Sequence, residues 1–340
     1  MRTLKVGVIG CGSIANNRHL PEYEFHKEAE IIAVADIVAD RADAAARRYH
    51  AKAYTDYREL LKDPDIEAVS VCTPNYLHAE MTIAALDAGK HVLCEKPMAA
   101  TVEDAKKMIE AAERNGKKLM IGHNQRFVPS HQKAKELIES GKAGKVYSFR
   151  TTFGHSGPET WSVDGKDSWF FKKDQAIIGS MGDLGVHKAD LLRYLLGEEF
   201  TEVSAFIETS AKENATVDDN AVCLLRTASG IIGTLAASWS YVREDNATVI
   251  FAEKATLRLE DDPEYSLIVH HKDGKTETFK LGGIQTNETG GQFDSEVISH
   301  FVSSVLEDTV PPVSGEEGMK SLKVILGALE SNAAGKNVRL

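Results

Sequence analysis

Several features that would narrow the function at once are missing from this chain of 340 residues. No run approaches the ~18 uninterrupted apolar residues of a membrane-spanning helix, so no membrane partner is expected. Positive charge is not in excess. Lys plus Arg is 40, Asp plus Glu is 51, and the net charge is −11. A surface of that sign repels phosphate backbones, which argues against nucleic acid. Cysteine is scarce, with only Cys11, Cys72, Cys94 and Cys223, all far apart. Without a CxxC pair or a Cys/His cluster no metal site is expected, and reduced thiols point to the cytoplasm. The apolar run before Cys11 is a few residues long. A signal sequence needs ~7 to 15, so a strand is the better reading than a lipoprotein box. In a cytoplasmic chain the Asn-x-Thr triplets at Asn214, Asn246 and Asn287 carry no weight. Internal repeats and low-complexity linkers are absent as well.

What is present fits two domains with a substantial core. Over residues 1–122 short aliphatic strands alternate with helices. Strands are expected at Leu4–Ile9, Glu30–Ala35, Ile66–Cys72, His91–Cys94 and Lys117–Ile121. Helices are expected after Gly12 as far as Pro21, at Asp40–Tyr49 and at Ala79–Ala88. A further helix starts from a capping-box-like Thr101-Val-Glu-Asp104 and stops at Gly116. This pattern predicts a doubly wound parallel sheet covered on both faces. Over residues 123–340 the pattern changes. A helix at Ser130–Ser140 and another at about Asp183–Leu196 precede successive strands between Thr201 and Lys280. Two helices follow, near Gln292–Leu306 and Glu316–Ala334. The expected fold class is α/β: a Rossmann domain, then an α+β domain with a large, mostly antiparallel open sheet.

Gly10-Cys11-Gly12-Ser13-Ile14-Ala15 fits G-x-G-x-x-G/A between a strand and a helix. Gly10 permits the tight turn, Gly12 leaves room for a pyrophosphate, and Ala15 lets helix pack on strand. The helix N-terminus offers N–H groups and partial positive charge to the anion. Asp36 ends the second strand about twenty residues further on, where a carboxylate binds ribose hydroxyls and repels a 2′-phosphate. That favours NAD, with NADP still possible because Arg41 is nearby. A plain βα turn capped by Asp36 is the bland alternative.

Three further segments have two readings each. Thr73-Pro74-Asn75, with His78, follows a strand at the ligand edge of the sheet; it is either a cofactor contact or a simple helix start. Glu95-Lys96-Pro97 ends the next strand. Lys96 is either a donor to a substrate oxygen or a surface lysine, and Pro97 is a candidate cis peptide. Asp183, His187 and Asp190 stand at i, i+4 and i+7, on one helix face. They form either a proton relay or a solvated face with Asp183 as N-cap.

The glycine loop, Glu95-Lys96-Pro97 and Gly182-Asp183-Leu-Gly-Val-His187-x-x-Asp190, in this order, resemble the Gfo/Idh/MocA family of glucose–fructose oxidoreductase and inositol dehydrogenase. Thr73-Pro-Asn75-x-x-His78, Gln125-Arg126-Phe127-x-Pro129, Gly141-Lys-Ala-Gly144-Lys-Val and Ser314-Gly-Glu-Glu-Gly318 extend the resemblance over essentially the whole chain. It implies an NAD(P)-dependent oxidoreductase of a sugar, cyclitol or derivative. Lys96, Asp183 and His187 are then the catalytic centre. The implied cofactor contacts are Gly10, Gly12, Ser13, Ile14, Ala15, Asp36, Ile37, Thr73, Pro74, Asn75, His78, Glu95 and Lys96. Residues 1–122 bind the cofactor, and residues 123–340 bind substrate and build a homodimer or homotetramer. His187 takes the proton of the substrate hydroxyl, Asp183 steadies the imidazolium, and Lys96 stabilises the developing alkoxide.

For the substrate the candidates are Asn124, Arg126, His155, Trp169, Asp183 and His187, with Trp161 in the same loop as Trp169. An aromatic there either stacks on a sugar face or simply packs. Two rival functions remain at this point. One is an NAD-dependent glycosidase working by transient oxidation and elimination. The other is a non-catalytic dinucleotide sensor, which would not need Lys96, Asp183 and His187.

Overall fold

Alternating aliphatic strands and amphipathic helices build the first part of the chain. The computed structural model describes residues 2–286 and 292–340; Asn287 lies outside the described residues. In chain order the first elements are β1 (Leu4–Ile9), α1 (Leu20–Phe25), β2 (Ala29–Ala35), α2 (Ala39–Tyr49), β3 (Lys52–Tyr54) and α3 (Tyr57–Leu61). Then come β4 (Ala68–Val71), α4 (His78–Asp87), β5 (His91–Cys94), α5 (Val102–Asn115) and β6 (Leu119–Ile121). All six strands are parallel, in the order β3-β2-β1-β4-β5-β6. The order reverses between β1 and β4, so the loops after these two strands frame the crevice where such sheets bind ligands. The Thr101 hydroxyl caps α5 by accepting the Asp104 N–H at 3.0 Å, and Gly116 ends the helix at φ 60°.

Two local expectations are corrected here. Pro21 does not end the first helix. Residues Ala15–His19 form a π-helical turn that runs straight into α1, and Pro21 sits in the first turn of the new register. The proline offers no N–H to the preceding turn, and the Asn17 carbonyl one turn back accepts the Gln292 N–H at 3.2 Å instead. The second difference is β3 and α3, which the sequence reading lacked. The strand is Lys-Ala-Tyr, half polar and largely exposed, so no aliphatic run announces it.

The second part holds α6 (Pro129–Glu139), β7 (Val146–Gly154), the short α7 (Lys173–Ala176), α8 (Val186–Leu196), β8 (Phe200–Glu208), β9 (Asn220–Thr227) and β10 (Ile232–Ser238). It continues with β11 (Thr248–Ala252), β12 (Ala255–Leu259), β13 (Leu267–His271) and β14 (Thr276–Phe279). After these come α9 (Val297–Leu306), α10 (Gly315–Ala334) and β15 (Val338–Arg339). The second sheet has nine strands, in the order β14-β13-β12-β11-β7-β10-β9-β8-β15. It is antiparallel except for β7 against β10.

The chain divides into two compact units. One comprises Met1–His123, Trp161–Trp169 and Gln285–Met319; the other comprises Asn124–Thr160, Phe170–Ile284 and Lys320–Leu340. Two late segments therefore belong with the first unit. Specific bonds hold them there. The Ile121 N–H donates to the Val313 carbonyl at 2.9 Å, and Glu22 Oε1 accepts the Ser295 N–H at 2.9 Å. The Ser13 hydroxyl donates to the Trp161 carbonyl at 3.1 Å. Among the described residues no helix is long and apolar enough to cross a membrane.

Candidate active site

In the first unit the loop after β1 is shaped by sterics. Gly10 has φ 92°, and a Cβ there would lie 2.6 Å from the Cys72 carbonyl oxygen. Only glycine fits that turn. Gly12 is open, with nothing within 4 Å of where a side chain would begin. Ala15 is fully buried against the sheet. Asn16, which sequence reasoning missed, staples the loop: its amide donates to the Cys11 and Gly12 carbonyls at 2.8 and 2.9 Å. Asp36 Oδ2 accepts the Cys11 N–H at 2.8 Å, and Oδ1 accepts the Val38 N–H at 2.9 Å. Each oxygen keeps a lone pair for a further donor. Beside it Ile37 is 91% exposed, an apolar platform at the rim.

These residues fit a dinucleotide. Besides the open Gly12, the loop after β4 presents the Thr73 Oγ1, a buried hydroxyl with no hydrogen-bond partner among the described residues. An orphaned polar atom at the ligand edge of the sheet calls for a bound partner. The other residues of this turn are differently engaged. Asn75 is buried. Each His78 ring nitrogen faces a carbonyl, Pro97 at 2.7 Å and Thr73 at 2.8 Å. His78 thus staples two ligand-edge turns together, with its pKa lowered by burial.

The Glu95 side chain is likewise engaged by protein partners. It is buried, and its Oε1 accepts from His19 Nε2 at 2.8 Å and Arg18 Nη1 at 3.2 Å. Arg18 also bonds Gln292. Burial pushes the Glu95 carboxyl up, but the His19 hydrogen bond and the charges of Arg18, His19 and Lys96 outweigh it and hold it at about 2. Glu95 Oε2 accepts the Lys96 N–H at 3.3 Å. The carboxylate therefore braces the turn that carries Lys96, which is half-exposed and precedes a cis peptide to Pro97.

In the second unit Asp183 lies in a π-helical turn, Met181–Gly185, that feeds α8. It is not an N-cap, and the face it shares with His187 and Asp190 is buried rather than solvated. The turn is tight because a Cβ on Gly179 would lie 1.9 Å from the Asp218 carbonyl oxygen. The Asp218 carboxylate accepts the Gly179 and Met181 N–H groups at 2.7 and 2.8 Å and the Ser180 hydroxyl at 2.9 Å. Asp183 Oδ2 accepts the Trp239 indole N–H at 3.1 Å. Trp239 is fully buried, with Phe171 edge-on at 5.8 Å. His187 lies against Phe153 with ring centroids 5.8 Å apart, and His155 meets the same ring at 6.1 Å. Neither Trp239 nor Phe153 carried a sequence signal beyond apolar strand character.

Asp190 is corrected from relay to anchor. Its carboxylate takes both Arg126 Nε and Nη2 at 2.7 Å and the Ser321 hydroxyl at 2.8 Å, all buried. Two of the five Arg126 N–H donors are thereby committed to Asp190. Asn124 stays among the substrate candidates: it is buried, and its Oδ1 has no hydrogen-bond partner among the described residues. Trp161 and Trp169 belong to the first unit, not to the second as expected. No cluster of three or more metal-ligating side chains occurs among the described residues.

A six-stranded Rossmann sheet with an open glycine loop, joined in one chain to a unit with a nine-stranded sheet and a helix that buries Asp183 and His187 one turn apart, defines a dinucleotide-dependent oxidoreductase. Residues 4–123 match the oxidoreductase family with an NAD-binding Rossmann fold, and residues 131–258 match the GFO/IDH/MocA C-terminal domain. The chain belongs to the Gfo/Idh/MocA oxidoreductase family, and its first unit is an NAD-binding domain. It is 34% identical over 271 residues to levoglucosan dehydrogenase of Pseudarthrobacter phenanthrenivorans, covering 70% of this chain and 68% of that one. Inositol 2-dehydrogenase of Salmonella typhimurium is 33% identical over 234 residues, 67% of this chain and 65% of that enzyme. A structure of levoglucosan dehydrogenase in complex with NADH and levoglucosan superimposes with TM-score 0.86 at 29% identity, over 100% of this chain and 99% of that one.

Proposed function

We propose that the chain transfers hydride between NAD and a secondary alcohol or carbonyl of a sugar, cyclitol or related polyol. The observation that carries this reading is the enclosed Asp183–His187 pair, one helical turn apart and fixed through Trp239. A sensor that only binds dinucleotide does not need it. Bound NAD supplies the hydride acceptor. His187 takes the hydroxyl proton, and Asp183 stabilises the imidazolium that results. Lys96 offsets negative charge on the substrate oxygen. Gly10, Gly12, Ser13, Ile14 and Ala15 receive the pyrophosphate, Asp36 the ribose hydroxyls and Ile37 the adenine face. Thr73, Pro74 and Asn75 line the nicotinamide side. Asn124 and His155 are the polar groups proposed to select the substrate, with Trp169 a stacking surface.

By the same reading residues 1–122 bind cofactor and residues 123–340 bind substrate and associate. The chain works in the cytoplasm, as its four buried free thiols suggest, without nucleic acid or membrane. The outward face of the second sheet supports a homodimer or homotetramer. Phe206 is 81% exposed and pairs in register with exposed Val222, and Leu224 and Ile232 are exposed on neighbouring positions. Such a contiguous apolar patch marks an interface.

The test is a panel of polyols, aldoses and inositols with NAD⁺ and NADP⁺ separately, following reduced nicotinamide absorbance. Lys96→Ala is expected to lower turnover about 10²–10³-fold, with NADH still bound. Near-normal turnover of Lys96→Ala refutes its role. Release of free sugar from glycosides without net reduced nicotinamide transfers the reading to a glycosidase.

A further inference from the structure

The glycine loop and Asp36 do not account for one more charged group at the same edge of the first unit. Arg41 opens α2, and its Nη2 bonds Asp164 Oδ1 at 2.5 Å. Asp164 comes from the segment Trp161–Trp169, far away in sequence, which the first unit nevertheless includes. The segment is pinned next to the phosphate loop by the Ser13 hydroxyl on the Trp161 carbonyl, 3.1 Å. Two residues further along, Val163 lines a cavity of about 360 Å³ together with Cys11, Asn16, Arg41 and Arg48. The cavity thus lies between the loop and α2, beside the end of β2. Charges converge on it. The Cys11 thiol is pushed up to about 12, first by burial and then by Asp36, while Arg41 pulls it down, so both charges act on one sulfur.

An arginine in this place is the natural partner of a phosphate on the adenosine ribose. Alone it would soften the discrimination exerted by Asp36. We propose that Asp164 completes the selection of NAD over NADP by holding Arg41 in an ion pair and adding its carboxylate to those of Asp36 and of Asp40, which also lines the cavity. The proposal rests on the reading of Asp36 as the ribose partner. Its logic is competition. A 2′-phosphate could recruit Arg41 only by breaking the pair, and it would then stand next to the released carboxylate. The pair does little else. Its side chains are 32% and 36% exposed, and pairs that open to solvent contribute little to folding. A charged segment brought back across more than a hundred residues to neutralise a weakly structural arginine is accounted for by ligand selection.

The experiment titrates NADH and NADPH into the full chain by fluorescence and reads the ratio of their Kd values, without turnover. Asp164→Asn keeps the shape and removes the charge. It is expected to move the ratio about tenfold towards NADPH, which corresponds to about 1.4 kcal/mol. Arg41→Ala in the Asp164→Asn background is expected to cancel the gain, and added salt to shrink it. Asp36→Ala is run in parallel. If Asp36→Ala shifts the ratio and Asp164→Asn does not, the proposal fails and the ribose reading stands. If neither shifts it, the ribose reading fails and takes the proposal with it. If Asp164→Asn weakens both ligands equally, the segment serves general binding and selection by Asp164 is refuted. A gain that survives Arg41→Ala also refutes the latch.

Discussion

Replacing Glu95 by Gln keeps the shape of the side chain and removes its charge. Glu95, Arg18 and His19 are all buried, with side chains 5%, 3% and 0% exposed. The folded carboxyl titrates at about 2 instead of the ordinary 4.5. At about 1.4 kcal/mol per pH unit this gap is about 3 kcal/mol of stability at neutral pH. An independent route gives the same size, because breaking a buried ion pair and stranding the cation costs about 3–5 kcal/mol. Since the folded value lies below the unfolded one, the contribution is full above about pH 4.5 and is lost as pH falls towards 2. The assay is hydrogen exchange of the β4 and β5 amides, which reads the first unit alone, supported by urea unfolding. Glu95→Gln is expected to lose about 3 kcal/mol at pH 7, and the deficit should narrow below pH 4.5. Arg18→Met on top of it should restore part of the loss, since the stranded charge goes too. A loss under about 1 kcal/mol, or one that does not change with pH, would refute the claim that this network braces the Lys96 turn.

Two further outcomes are expected. Trp239→Phe removes the indole N–H from Asp183 while keeping the ring among its aromatic neighbours; it should cost about 1–2 kcal/mol and lower kcat, with NADH affinity unchanged. An unaltered kcat would count against Asp183 as the group that steadies His187. Lys188 is fully buried, and burial lowers its pKa to about 8, against the pull of Glu260, Asp245 and Glu244. Between about pH 8 and 10.5 the unfolded lysine binds a proton that the folded one has lost. The wild type should therefore gain stability over Lys188→Met as pH rises through that window. A flat difference in parallel unfolding curves would argue against a neutralised buried amine.

Much of this was readable in the sequence where chemistry is local. β1 and β5 begin and end where their aliphatic runs do, and Gly10, Gly12 and Asp36 sit in a motif whose spacing states its purpose. The Asp183–His187 spacing was visible too, but not its burial, because Trp239, just after β10, and Asp218, just before β9, lie 56 and 35 residues later in the chain. Hydropathy could not reveal β3, whose register on β2 is set by backbone pairing rather than by apolar side chains. Nor could it show that Glu95, His78, Arg126 and Asp190 bond to protein partners. A motif shows which side chains are gathered and leaves open which of them point at one another.

The return of Gln285–Met319 to the first unit has a consequence for how the protein is made. Domains usually fold in order of synthesis, the first to emerge being the first to close. Here β6 forms the edge of the parallel sheet, and its outer side is met by the Ile121–Val313 bond and the Met120–Ser314 bridge. Until the ribosome has delivered Val313 and Ser314, that edge lacks these partners, and an open edge strand invites pairing with other chains. The cofactor loop, which lies before β2 in the chain, thus waits on a sheet whose β6 edge is met only when Val313 and Ser314 have been made. Chaperone cover of that edge on the nascent chain is therefore expected to raise the yield of folded enzyme.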